Sequence, residues 1–329
     1  MQDKYNVAIV GIGGSIGGLK PYEFDNKHTK NILTHAHAAY AHHRTELIAG
    51  IEPNSHKRAE VFDRWGCSVL SDIKGAVSFK EKADIVIVAV PTEHHYHTLL
   101  DVLEMKPKLV IAEKPFCNNV TESANIIYAY KKAGIPILVN YIRRYNPDIN
   151  MIKTHIKSEG VQSCSVIYNR GLKRDGCHAI DLMNFFFGEC QSKTILNQNK
   201  SYDDHCEEDR TYGVYLSYEN CPHVFMFPAD GRKFSAFEID IVLNNSRINI
   251  SQSSSRVSYY LTEPSIYGDY NALSDRAWMT KNTNLEISLM DLLGCATQYL
   301  DTGDKGLLRC TAEDALKTTE IINDLHSTI

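Results

Sequence analysis

Five glycines, at positions 11, 13, 14, 17 and 18, follow directly on the apolar run Val7–Ala8–Ile9–Val10. Residues of this type at this spacing serve one chemistry well, the holding of a pyrophosphate. Gly11 permits a tight turn at the end of a strand, and Gly13 lets the backbone approach the phosphates closely. The N-terminus of a helix beginning just beyond would offer free N–H groups and a partial positive charge. The third fingerprint position is shifted, because Ile16 stands where glycine is usual and glycine returns at Gly17. One extra residue in the turn accounts for this, and Gly11, Gly13, Ser15 and Ile16 form the candidate contact set. The competing reading is a tight strand-to-helix turn that holds nothing.

A second run, Glu46–Leu47–Ile48–Ala49–Gly50–Ile51, ends in Glu52. A carboxylate at the tip of the second strand hydrogen-bonds the ribose hydroxyls of a dinucleotide and repels a 2′-phosphate, which favours NAD over NADP. Lys57 and Arg58 lie just beyond and keep NADP open. The interval from the glycines to Glu52 exceeds the usual spacing of about 20 residues. The excess lies in the polar stretch Pro21–Asn31, expected near the cofactor as a flap, ahead of a helical segment over 32–43.

These groups need elements to carry them. Helices near Ser55–Trp65, Tyr96–Met105 and Val120–Ala133 alternate with apolar runs near Val69 and at Asp84–Val90, Leu109–Ala112 and Ile135–Val139. Short β-branched runs that are apolar on both faces are the mark of parallel strands covered on each side. A doubly wound α/β Rossmann sheet over residues 1–146 follows. From Val161 the pattern changes. Strands at Val161–Arg170, Lys193–Asn199, Thr211–Tyr218, His223–Pro228, Phe237–Leu243 and Ser246–Ser251 follow one another, broken only by a helix near Asp175–Phe187. Helices near Leu285–Tyr299 and Thr311–His326 close the chain. Residues 147–329 thus read as an α+β domain with a largely antiparallel open sheet.

Composition bounds the rest. A chain of 329 residues suits two domains, and 43% apolar content with a net charge of −5 describes a soluble globular protein. No apolar run reaches the ~18–20 residues of a membrane span, and no basic block invites nucleic acid. The chain enters a strand at once, so a signal peptide is not expected. Nine cysteines without a C-x-x-C pair read as reduced thiols, and the expected compartment is cytoplasmic. Histidines cluster at His35-x-His37, His42–His43 and His94–His95-x-His97. None shows the i, i+4 spacing with a carboxylate that marks a hydrolytic zinc site, so surface or nucleotide-side histidines are expected and no metal.

Three further segments complete an ordered set: VPTEHH (Val90–His95), AEKPF (Ala112–Phe116) and VNYIRRYNP (Val139–Pro147). With the glycine turn, this set resembles the glucose–fructose oxidoreductase/inositol dehydrogenase (Gfo/Idh/MocA) family over nearly the whole chain. Pro91, Glu113 and Lys114 stand at the carboxyl ends of strands, where open α/β sheets bind ligands. A lysine there can donate a hydrogen bond to a substrate hydroxyl and stabilise a developing alkoxide. The resemblance implies that role for Lys114, cofactor contacts for Pro91, His95 and Glu113, and a cis Pro115. A solvated loop lysine is the plain alternative.

In the second half, Tyr168–Gly188 is similar to the family segment that opens the substrate domain's helix. The resemblance places a catalytic histidine at His178, which as a neutral imidazole can take a carbinol proton. Asp181, three residues on, would share its helical face and orient the ring or help bind substrate. In the resemblance Arg174 occupies the place of a usual aspartate, and Asp175 is adjacent and could substitute for it. Arg170, Lys173 and Arg174 form a basic group that could grip a phosphate or carboxylate or simply be a solvated loop, with Tyr168 beside them. The resemblance implies an NAD(P)-dependent oxidoreductase acting on a sugar or sugar nucleotide, working as a homodimer or homotetramer. Two rivals stand beside it: glycosidase-type elimination or hydrolysis with recycled NAD, and a non-catalytic nucleotide-binding regulator.

Overall fold

The computed structural model describes residues 4–77, 82–199 and 209–327, grouped in two compact units. The first unit comprises residues 1–145 and 286–319, and the second 146–285 and 320–329.

In the first unit the elements run β1 (Tyr5–Val10), α1 (His35–Ala41), β2 (Thr45–Ile51), α2 (Ser55–Trp65), β3 (Ser68–Leu70), α3 (Ile73–Val77), β4 (Ile85–Val88), α4 (His95–Val102), β5 (Leu109–Ala112), α5 (Val120–Ala133) and β6 (Ile137–Val139). The six strands form one parallel sheet in the order β3-β2-β1-β4-β5-β6. Strand order reverses between β1 and β4, and in such sheets the crevice at that point is where ligands bind. Every residue of β4, β5 and β6 is buried. Fully burying an Ile or Leu side chain there contributes about 1.5–3 kcal/mol, which sets the register of the strand tips. Asn54 and Asn119 cap α2 and α5 by accepting main-chain N–H groups, and Gly66 and Gly134 end them in left-handed backbone.

The helix expected directly after the glycine turn is interrupted. Gly18 N–H donates to Gly14 O at 3.0 Å, a first helical turn, but the chain then departs and α1 starts only at His35. On return, His35 N–H donates to Ile16 O and Ala36 N–H to Gly17 O, both at 2.9 Å. An uninterrupted helix would draw those bonds from positions 20 and 21, so Lys20–Thr34 is an excursion spliced into the helix. With it set aside, the interval from Gly11 to Glu52 falls from 41 to 26 positions, near the usual spacing of about 20. The excursion is anchored. Asp25 is fully buried with its Oδ1 2.6 Å from His37 Nδ1, and Trp65 Nε1 donates to Gly18 O at 2.8 Å. The expected helix over 32–43 is shorter because Thr34 caps it, accepting from His37 N–H.

The second unit holds α6 (Pro147–Glu159), β7 (Val161–Tyr168), α7 (Cys177–Phe187), β8 (Cys190–Asn199), β9 (Thr211–Tyr218), β10 (Cys221–Pro228), β11 (Glu238–Leu243), β12 (Ser246–Ser251), β13 (Arg256–Pro264), β14 (Asn271–Leu273) and β15 (Met279–Asn282). Its nine-stranded sheet runs β14-β13-β12-β11-β7-β10-β9-β8, with β15 on β13. Pairing is antiparallel throughout except for β7 with β10.

The last two helices are α8 (Ser288–Thr302) and α9 (Ala312–Ser327). Residues 286–319, expected with the second domain, group with the first unit. The reason is local. Val139 N–H on β6 donates to Cys310 O at 2.9 Å, and Arg44 makes a two-pronged pair with Asp301 at 2.7 and 2.9 Å.

Candidate functional site

In the first unit the glycine turn leaves β1 at its carboxyl end. Gly11 N–H donates to Ile51 O at 2.9 Å, and Gly14 N–H to Gly11 O at 3.0 Å. Among the described residues, the N–H groups of Gly13, Ser15 and Ile16 have no protein acceptor. Unsatisfied N–H groups in a turn at the end of a strand form a cradle for an anion. Glu52 reaches the same turn. A Cβ on Gly13 would stand 2.7 Å from Glu52 Cδ and nearer still to Oε2, so only glycine leaves room for the carboxylate. Glu52 is buried, and its Oε1 accepts Asn54 N–H at 2.9 Å, which fixes its orientation. Arg58 turns away from any phosphate role: its Nη1 donates to the carbonyls of Glu52 and Pro53 at 3.0 and 2.7 Å. These residues fit a dinucleotide, with phosphates on the turn and ribose on Glu52.

The tips of β4, β5 and β6 complete this unit's site. Pro91 is exposed at the end of β4. Lys114 is half-buried after β5, and its bond to Pro115 is cis. Glu113 beneath it is buried, and its Oε1 takes two donors, Asn140 Nδ2 at 2.6 Å and His35 Nε2 at 2.7 Å. Burial alone would raise the Glu113 pKa. The His35 and Asn140 hydrogen bonds, with the charges of His35 and Lys114, outweigh it and hold the group below the ordinary carboxylate range. His95, expected at the cofactor, is buried with its ring nitrogens 3.0 Å from the carbonyls of Phe116 and Val90. It braces two loops behind the strand tips.

The histidine expectation is corrected at four positions. His35, His37, His42 and His95 are buried, the first two each against a carboxylate. Burial, with the charges of His43 and Arg44, lowers His42 to about 4.

In the second unit, a π-helical turn over Leu172–Gly176 runs straight into α7. Gly176 N–H donates to Gly171 O at 3.0 Å, and the preceding Arg170 has a left-handed backbone with φ 59°. Such turns recur at functional sites. Asp209 caps this end, its two carboxylate oxygens accepting Lys173 N–H at 2.7 Å and Arg174 N–H at 2.9 Å. Lys173 and Arg174 are exposed, and Arg170 and Asp175 half-buried. His178, half-buried in the first turn of α7, stands edge-on to Phe237 with ring centroids 6.5 Å apart. Asp181, one turn further along α7, is wholly buried. Tyr168 is a correction. Its hydroxyl donates to Tyr212 O at 2.7 Å and accepts Tyr212 N–H at 2.8 Å, and the side chain is fully buried. It joins β7 to β9 and offers a substrate nothing.

Sequence reasoning missed His35, Asn140 and Asp209 as parts of these clusters. His35-x-His37 was a visible signal for the first. Nothing local marks Asp209, which acts on residues 35 and 36 positions away. Among the described residues, no group of three or more His, Cys, Asp and Glu could hold a metal ion, and no helix is long and apolar enough to cross a membrane.

A parallel sheet in this order, a glycine cradle at its switch point and an acid at the tip of β2 define a dinucleotide-binding protein. Residues 5–141 match the Gfo/Idh/MocA model, described as oxidoreductase family, NAD-binding Rossmann fold. The cofactor is accordingly a nicotinamide dinucleotide. Among solved structures, UDP-N-acetylglucosamine 3-dehydrogenase from Acidithiobacillus ferrooxidans is similar with a TM-score of 0.79 and 12% identity, over 99% of this chain and 97% of that one. The WlbA dehydrogenase from Bordetella pertussis, in complex with NADH and UDP-GlcNAcA, gives 0.73 and 15% over 97% and 94%. A super-repressor mutant of Gal80p from Saccharomyces cerevisiae gives 0.72 and 13% over 99% and 95%. At such identities the likeness is one of fold. No curated protein sequence matches the chain.

Proposed function

We propose that this chain is an NAD-dependent oxidoreductase that transfers hydride between nicotinamide and a carbinol or ketone carbon of a sugar or sugar nucleotide. The observation that carries the reading is Lys114, set at the tip of β5 on a buried carboxylate whose two donors fix it. When bound, the nicotinamide supplies the hydride acceptor or donor. Lys114 is assigned the hydrogen bond to the substrate oxygen, which strengthens as negative charge develops there. His178 is assigned the carbinol proton in the oxidative direction, with Asp181 orienting the ring. Asp175 stands as the substitute for the aspartate that Arg174 displaces. Arg170, Lys173 and Arg174 are suited to a substrate phosphate or carboxylate. The dehydrogenases among the solved relatives support a nucleotide-linked sugar.

The test is a panel of sugars and nucleotide sugars, followed by absorbance of reduced cofactor under NAD and under NADP. Accumulation of NADH with a member of the panel is the expected result. Product release without net NADH would mean recycled-cofactor elimination or hydrolysis. The Gal80p fold likeness gives a regulator its specific support. Tight NAD binding with no turnover of any panel member would favour that reading and refute the enzymatic one.

A further inference from the structure

We propose that His35 is a positioning residue for Lys114, acting through Glu113. The inference rests on the reading of Lys114 as the donor to the substrate oxygen. Glu113 Oε1 receives His35 Nε2 at 2.7 Å and Asn140 Nδ2 at 2.6 Å, while Oε2 receives the long Lys114 N–H bond at 3.3 Å. His35 is 1% exposed and Glu113 8%, so water cannot replace a lost donor without opening the core. A buried carboxylate deprived of a charge-assisted donor moves toward solvent or takes up a proton. Either outcome alters the setting of Lys114, the first by displacing the end of β5 and the second by removing the negative charge beside its ammonium, because Glu113 and Lys114 are consecutive there.

His35 is itself held from two sides. Its N–H donates to Ile16 O at 2.9 Å, and the preceding Thr34 caps α1. The ring therefore ties the glycine turn to the tip of β5, and Asn140 ties that tip to β6. The His35–Glu113 contact ends one residue from Lys114. The groups facing Glu113 are His35 on α1, Asn140 after β6, and Lys114 beside it.

The experiment compares His35→Gln, which keeps an N–H donor near the place of ring Nε2, with His35→Leu, which removes it. In the full chain, the rate of reductive methylation at Lys114 is read by peptide mass spectrometry, with exposed Lys57 as internal standard. His35→Leu is expected to change the Lys114 rate by about threefold or more relative to Lys57, less than the full worth of a charge-assisted hydrogen bond because Lys114 feels the loss only through Glu113, while His35→Gln restores it. With a substrate from the panel, His35→Leu should lower kcat and leave KM and the NAD dissociation constant within a few-fold. A lower melting temperature with an unchanged Lys114 rate would make His35 purely structural and overturn the proposal. If His35→Leu does not fold, Glu113→Gln carries the same test, since its amide replaces the carboxylate that His35 holds. An unchanged Lys114 rate there would refute the coupling equally. The labelling arm needs no substrate, so failure of the panel refutes the oxidoreductase reading while the labelling still decides the coupling.

Discussion

Gly13→Ala is expected to weaken NAD binding by way of Glu52. Gly13 has no left-handed backbone, so an alanine there meets no conformational strain. Its Cβ would meet Glu52 Cδ at 2.7 Å and Cγ at 2.9 Å, whereas ordinary contacts begin near 3.4 Å. The carboxylate must therefore swing by the better part of an ångström. Oε1 cannot follow without giving up the Asn54 N–H at 2.9 Å, so the group loses either that bond or its aim at the ribose. A charge-assisted hydrogen bond of this kind is worth about 1.5–3 kcal/mol, or about 10- to 100-fold in dissociation constant. Calorimetric titration with NAD and NADP reads it directly. NAD should lose more than NADP, because NADP gains nothing from Glu52 in the parent. Glu52→Ala alone should narrow the gap by about 1–2 kcal/mol, and adding Gly13→Ala to it should cost little more, since residues in contact are not additive. A Gly13→Ala variant that holds NAD within twofold of the parent refutes the reasoning. Fully additive losses in the double variant refute it as well.

Lys114→Ala should leave NAD binding within a few-fold yet lower kcat by about 10²-fold, because the hydrogen bond strengthens only in the transition state; an unchanged kcat at saturation would reduce Lys114 to scaffold. Tyr168→Phe should cost about 1–3 kcal/mol in urea unfolding, since the Tyr212 N–H and carbonyl lose their buried partner, with KM untouched; a raised KM at unchanged stability would return Tyr168 to the substrate. Stability should fall as pH drops from about 6.5 toward 4, because burial lowers both His42 and His326 from 6.5 to about 4, assisted for His326 by the charges of Lys173 and Arg210. In that window the unfolded chain binds protons that the native one refuses, so unfolding free energy decreases on acidification, by less than the ceiling of about 1.4 kcal/mol per pH unit for each histidine because solvent screens both rings in part. Chemical denaturation at pH 7, 6 and 5 checks this, and a slope unchanged in His42→Gln would remove that histidine from the account.

Legibility in the sequence followed the range of the forces involved. Parallel strands buried on both faces must be short apolar runs, so β1, β2, β4 and β5 were readable, and Glu52, Glu113 and Lys114 at their tips with them. The strands over 211–218 and 246–251 were read to the residue. Strands β13 to β15 were missed because they alternate polar and apolar residues weakly and carry exposed side chains such as Glu263 and Thr280. Helix α6 hid behind a mixed polar sequence whose start is set by Asn146 and Pro147. The buried polar groups were illegible for a different reason. Glu113 finds His35 across 78 positions, and Asp25 finds His37 inside an excursion that reads as polar loop. A residue's own neighbours in sequence do not announce such partners.

The splice at Lys20–Thr34 has a consequence for how this chain can be edited. Its two ends lie one helical step apart, joined by the bonds from His35 to Ile16 and from Ala36 to Gly17. The segment is thus a cartridge whose removal would leave Leu19 followed by His35 in unbroken register. Its exit costs one buried carboxylate, so the orphaned His37 would have to become apolar in the same stroke. What fills the slot is then open to choice: an uninterrupted helix, or a reporter domain whose inserted termini need span only that single step.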